Sequence, residues 1–302
     1  MKHFFTIIAL ASTLILIPGC ASSRKSGEIS DSTTTNSQEH HSMGHGETPL
    51  SGHSNSHQRH SMGDMTDEQH SSFAQAKLTI SQNITPNTPV PLLIDIKDAK
   101  GKAIANFDTF QEKLMHLIVV SDDLETFSHL HPTYKQNGRF EVEANFSKPG
   151  SYTLLSDYKP AGQSEQVSLL NVEVPGTRSS TPKIDLNRTK MFGDTKVNLA
   201  FYQPRLKAEQ NVTLMFNLKE ETSNQPITDL QPYLGEKGHL VILKQSSPLT
   251  AADYIHAHAL NDTPAGQVHF MTSFPQPGTY KVWGQFNRKG KIITADFWVN
   301  VE

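Results

Sequence analysis

The chain changes character at about Phe73. Beyond it, apolar and polar residues alternate in short runs: KLTIS, VPLLIDIKD, LMHLIVVS, GRFEVEANF, SYTLLSDYK and VSLLNVEV. A period of two sends successive side chains to opposite faces of a strand, so each run predicts a β-strand. DAKGK, KQNG, SKPG and KPAG lie between the runs and carry the Gly, Pro and Asn chemistry of tight turns. No long helical period interrupts the series. Short strands at this spacing predict an all-β fold, an antiparallel sandwich or a small barrel.

The pattern then repeats. LIDIKDAKGKAIANFDTFQEKLMHLIVV (93–120) aligns with MFNLKEETSNQPITDLQPYLGEKGHLVIL (215–243). FSHLHP aligns with YIHAHA (254–259), and FSKPGSYTLLSDY (146–158) with FPQPGTYKVWGQF (274–286). Each copy closes on a further apolar strand, LLNVEV or ADFWVNV. A repeat of this length predicts two tandem antiparallel β-sandwiches, residues 73–176 and 190–302, joined by a polar linker at 177–189.

What precedes the sandwiches is different in kind. Residues 1–20 read as a lipoprotein signal peptide: Lys2, an apolar run from Phe4 to Ile17, and IPGC, which places Cys20 for lipidation. The apolar run is short for a membrane span. Residues 21–72 are rich in Ser, Thr, Gly, Gln and His and poor in large apolar residues, the composition of a disordered tether. The expectation is an exported protein, lipid-anchored on the extracytoplasmic side.

Charge and cysteine narrow the chemistry. The net charge of −3 lacks the basic bias of nucleic-acid binding. Cys20 is the one cysteine of the chain. The folded region therefore cannot build a disulfide framework, a blue-copper site, an iron–sulfur cluster or a Cys-ligated zinc site. No Ser-His-Asp signature, Gly-rich phosphate loop or His-Glu-x-x-His helix is present, so no enzyme is expected.

Histidine is what remains. The tether carries His40, His41, His45, His53, His57, His60 and His70, interleaved with Met43, Met62 and Met65. Imidazole suits Cu(II) and Zn(II) and thioether favours Cu(I), so this tract predicts a weak metal collector. Each sandwich repeats one pattern: an isolated His in an apolar strand, then a pair spaced by one residue. The first copy has His116, His129 and His131; the second has His239, His256 and His258. On a strand, residues i and i+2 share a face roughly 6–7 Å apart, close enough for two imidazoles to approach one ion. A third imidazole from a neighbouring strand completes a three-nitrogen set for Cu(II) or Zn(II). Pro132 biases His131 toward extended backbone.

Plainer readings compete. A His within LMHLIVV can be a hydrogen-bonded core residue, and the pairs can pack on Phe127 or Tyr254. The Ala-rich segment 250–259 can be helical, which would splay His256 and His258 by about 200°. Met115 reads as core, and His269 with Met271 as surface and core filler.

LMHLIVVSDDLETFSHLHP, GHLVIL…YIHAHAL and FPQPGTYKVWGQF resemble the YtkA-like/FixH-like group of exported bacterial proteins, and are similar to lipoproteins encoded beside copper-handling genes. The resemblance implies immunoglobulin-like or cupredoxin-like sandwiches without the cupredoxin cysteine. The expected function is lipid-anchored metal binding, with copper favoured and zinc the alternative. The ion would be buffered, trapped or passed to metal-handling envelope proteins. The competing expectation is an Ig-like module that recognises a protein or cell-envelope partner without metal.

Overall fold

A computed structural model describes residues 74–80, 83–177 and 183–302. The leader, Cys20 and every metal-collecting residue of the tether, His40, His41, Met43, His45, His53, His57, His60, Met62, Met65 and His70, lie outside the described residues.

The first sandwich contains β1 (Gln75–Ile80), β2 (Pro89–Lys97), β3 (Met115–Ser121), β4 (Phe127–Leu130), β5 (Thr133–Tyr134), β6 (Arg139–Asn145), β7 (Gly150–Tyr158) and β8 (Gln166–Val174). The second contains β9 (Thr189–Phe192), β10 (Thr195–Phe201), β11 (Asn211–Glu220), β12 (Leu230–Gln231), β13 (His239–Lys244), β14 (Tyr254–His258), β15 (Gln267–Ser273), β16 (Gly278–Arg288) and β17 (Lys291–Val301). Sheets β1-β2-β6-β5 and β4-β3-β7-β8 form the first sandwich. In the second, the order is β15-β11-β10-β9 against β14-β13-β16, with β17 and β12 also on β16. All ladders between these strands are antiparallel.

The duplication is visible strand by strand: β1-β2-β6 corresponds to β10-β11-β15, and β4-β3-β7-β8 to β14-β13-β16-β17. Each sandwich has its own core. Leu92, Ile94, Phe140, Leu117, Leu154 and Tyr158 pack in the first, and Leu214, Phe216, Leu240, Val282, Phe286 and Phe297 in the second. Met115 belongs to the first core, as expected. Met271 does not fill the second core: it is exposed, because β15 is an edge strand and its odd positions face outward. The Ala-rich stretch gives only a single 3-10 turn, Ala251–Asp253, before β14, so His256 and His258 do sit on a strand. Among the described residues no helix is long and apolar enough to cross a membrane.

A third apolar cluster joins the two sandwiches. β3 is buried at every position, so the sheet it belongs to is covered on both faces. Met115, Leu117 and Val119 face the first core, while Ile118 and Val120 meet Val241, Leu243, Leu155, Trp283 and Trp298 in a layer between the domains. Phe127 of the first sandwich stacks on Trp283 of the second at 4.8 Å between centroids and 17° between planes. Burying an aliphatic side chain of this kind contributes about 1.5–3 kcal/mol, so the layer fixes the two domains as one body. Lys281 enters the layer with its ammonium 2.6 Å from Asp296 and 4.9 Å above the Trp298 ring, which keeps the buried charge paired.

Trp283→Ala removes the ring that stacks on Phe127 across the two domains. The expected cost is about 3–5 kcal/mol, the range for truncating a buried aromatic. Urea unfolding followed by circular dichroism reads it.

Candidate metal centre

Register decides which side chains enter the layer. β3 pairs β4 with Ile118 opposite His129, and β3 pairs β7 with His116 opposite Asp157. Cross-strand partners share a face, so His116, His129 and Asp157 all turn toward the second sandwich beside Ile118. The matching ladders set His239 opposite both His258 and Gln285, and Val241 opposite His256. Each sandwich thus offers the same polar corner next to the apolar part of its outer face, and the two corners meet.

The three histidines expected together in the first sandwich do converge, while the expected grouping in the second needs correction. Five imidazoles from both domains form a single cluster. His129 lies 4.6 Å from His131, 5.2 Å from His116 and 4.5 Å from His239, centroid to centroid. His239 lies 4.6 Å from His256, and the matched rings of His116 and His239 stack across the interface at 5.9 Å and 18°. Within the cluster, one nitrogen each from His116, His129 and His131 lie within 4.8 Å of one another. His258 stands apart at the rim. Its side chain is 57% exposed, and its Nδ1 is 2.9 Å from both Glu236 Oε1 and Gln111 Nε2. Glu236 occupies the place of Lys113 in the first copy, and a lysine cannot accept a bond from an imidazole as Glu236 does for His258.

The hydrogen bonds fix tautomers. His116 donates Nε2–H to the carbonyl of Phe110 at 3.2 Å, and His129 donates Nδ1–H to Gln285 Oε1 at 2.8 Å. Gln285 is held in that orientation by donating its own amide to Thr294. A neutral imidazole has one N–H and one lone pair. Both lone pairs, on His116 Nδ1 and His129 Nε2, therefore point at each other across 3.0 Å. Two acceptors at that distance repel unless a cation lies with them. Ligands about 2.0–2.1 Å from one zinc or copper ion stand at about this separation. The outward N–H donated to a carbonyl oxygen is also how metal-bound histidines are usually held.

A proton is a poor substitute for that cation. Burial is the main cause that holds His116 and His131 down to about 4, against an ordinary value of 6.5. Burial and the neighbouring imidazoles push His129 and His239 well below that value. Further in, His131 Nε2 and both nitrogens of His239 and of His256 are buried without a protein hydrogen-bond partner. His256 Nδ1 comes 3.4 Å from Asp157 Oδ2, within ion-pair reach but outside hydrogen-bond geometry. An unmet buried polar group costs about 1–3 kcal/mol, so five such nitrogens together rival the stability of a domain. Metal ligation would meet one nitrogen on each of these three rings, and the residues present fit it: all are imidazoles, with no sulfur ligand among them.

Sequence reasoning singled out the six histidines and missed the groups that orient them. Asp157 and Gln285 are matched positions in the repeat, and each crosses to the other domain: Gln285 holds His129, and Asp157 accepts from Tyr254 at 3.0 Å beside His256. The alignment of LLSDY with VWGQF carried that signal. The Phe110 carbonyl had none. His269, the remaining described histidine, turns to Gln267 on β15 and lies outside the cluster. A cleft of about 910 Å³ elsewhere in the second sandwich is lined by Glu220 and Arg288, which already pair with each other at 2.5 Å.

The metal-free protein is expected to weaken in acid. The unfolded histidines bind protons near 6.5 and the folded His116 and His131 near 4, so stability is full above about 6.5 and is lost as pH falls through 4. Urea midpoints between pH 7 and 4 read the slope, and His116→Asn with His131→Asn should make it shallower, with His129 and His239 carrying the remainder.

Solved structures with some likeness include the Escherichia coli adhesin FdeC (15% identity, 77% of this chain, 65% of that chain, TM-score 0.25). Others are a Salmonella alpha-2-macroglobulin mutant (12%, 76% and 14%, TM-score 0.26) and invasin, a bacterial integrin-binding protein (12%, 74% and 39%, TM-score 0.22). The chain spans 65% or less of each of those chains, and likeness at this level carries no argument about function. No curated protein matches the chain. Residues 71–175 and 190–302 both match the family described as Domain of unknown function (DUF8832). With both halves of the folded region matched, the chain belongs to that family and carries its domain twice.

Proposed function

We propose that this is a metal-binding protein of the cell envelope, taking up copper through the histidine layer between its two sandwiches and buffering, trapping or passing on the ion. The observation that carries the reading is the pair of opposed lone pairs on His116 and His129, 3.0 Å apart with both N–H groups tied down elsewhere. His131 adds a third nitrogen, buried and unpartnered. Three imidazoles without sulfur suit Cu(II) or Zn(II) better than Cu(I). Export and lipidation at Cys20 rest on the leader alone. On that reading, the His- and Met-bearing tether gathers ions weakly near the membrane and the layer retains them. No catalytic role is assigned.

Cu(II) titration of the purified protein tests the reading. His129→Ala with His131→Ala should lose about one tightly held equivalent, while deleting residues 21–72 should remove weak binding only. A ligand present at 100 times its Kd adds about 2.7 kcal/mol of stability, so copper should also raise the unfolding midpoint of the wild type by more than that of the double variant. Equal stoichiometry in the two proteins would remove the site from the first sandwich.

A further inference from the structure

We infer that the layer holds a second metal position, built from His239 and His256 of the second sandwich and Asp157 of the first. The inference rests on the reading above that the histidine layer takes metal, and adds an ion with ligands from both domains. The three side chains are each more than nine-tenths buried: His239 and Asp157 are 1% and 2% exposed, and the His256 side chain 8%. All four imidazole nitrogens and Asp157 Oδ1 lack a hydrogen-bond partner.

The carboxylate is the telling member. Asp157 Oδ2 accepts from the Tyr254 hydroxyl at 3.0 Å, which positions the group and leaves Oδ1 unmet. A buried carboxylate is costly without a countercharge. The lysine that enters the layer, Lys281, is already bound to Asp296 at 2.6 Å. His256 Nδ1, 3.4 Å from Oδ2, makes no hydrogen bond to it. A divalent cation would supply the charge and take one lone pair from each imidazole; these donors are not drawn together as those of His116, His129 and His131 are, but two nitrogens with one carboxylate oxygen are an ordinary donor set for Cu(II) or Zn(II).

This position also replaces the second-sandwich triad expected from the repeat. His258 is drawn off by Glu236, which accepts from its Nδ1, and Asp157 reaches in from the other domain instead. The two positions adjoin, since the rings of His129 and His239 are 4.5 Å apart. Tyr254 is a positioning residue here, as Gln285 is for His129.

The test is copper analysis of the full-length chain after Cu(II) loading and dialysis against a competing chelator that strips the tether. Wild type should retain two equivalents. His239→Ala with His256→Ala should retain one, and so should His129→Ala with His131→Ala. Asp157→Asn, which keeps the size of the side chain, should weaken the second equivalent by at least tenfold. Electron paramagnetic resonance should show two coupled Cu(II) ions in wild type and an isolated signal in each double variant. Emission from Trp283 and Trp298, the two tryptophans of the chain, both within the layer, checks that each variant keeps the domains docked.

One retained equivalent in wild type, unchanged in the His239/His256 variant, overturns the second position and leaves the first standing. One retained equivalent in wild type that disappears in both double variants means a single shared ion, and also overturns it. No retained copper in wild type overturns the metal reading altogether. If only the His239/His256 variant loses an equivalent, the first-sandwich site falls and the second position stands.

Discussion

The packing of one outer sheet face on its duplicate is the constraint on which the rest depends. A sandwich normally turns one face of each sheet to water, and the residues there can be polar at little cost. Here Ile118, Val120 and Leu155 of one domain close against Val241, Leu243 and Trp283 of the other. Whatever shares those faces is taken out of water as well. His116 and His239 continue the same rows, two residues before Ile118 and Val241, and so they are carried into a dry environment by packing that their own chemistry does not favour. The apolar part of the layer supplies the stability, and the polar corner spends some of it.

What the corner gains is preorganisation. In water, imidazoles rotate, protonate and bind solvent. In the layer, protonation is suppressed by burial, and the rings of His116 and His129 are fixed by the Phe110 carbonyl and by Gln285. The lone pairs are left facing each other. The repeat makes the arrangement reciprocal: Gln285 serves the histidine of the first sandwich, and Asp157 stands beside that of the second. The amide can orient a ligand but carries no charge. The carboxylate brings a charge that needs an answer. One difference between otherwise matched positions thus separates the chemistry of the two halves of the corner.

Much of this was legible in the sequence. Period-two runs and Gly/Pro turns marked the strands, and the alignment of the halves marked the duplication. His-x-His on a strand correctly puts both rings on one face, as β14 illustrates despite its Ala-rich approach. The docking of the two domains was not read, although LMHLIVVS held a hint: a run apolar at successive positions belongs to a strand covered on both faces. The failure of the second triad had a local cause, Glu236 standing where the first copy has Lys113. Cross-domain partners such as Asp157 with His256 are set by a rigid-body fit between sheets, which no local pattern encodes.

The central claim is that an ion sits between the opposed nitrogens of His116 and His129. Anomalous diffraction at the copper edge, from crystals of the Cu(II)-loaded protein, addresses it most directly. The expected result is a peak within bonding distance of His116 Nδ1 and His129 Nε2, with His131 as a further ligand. An empty layer, with anomalous signal only at surface histidines or in the tether, would contradict it.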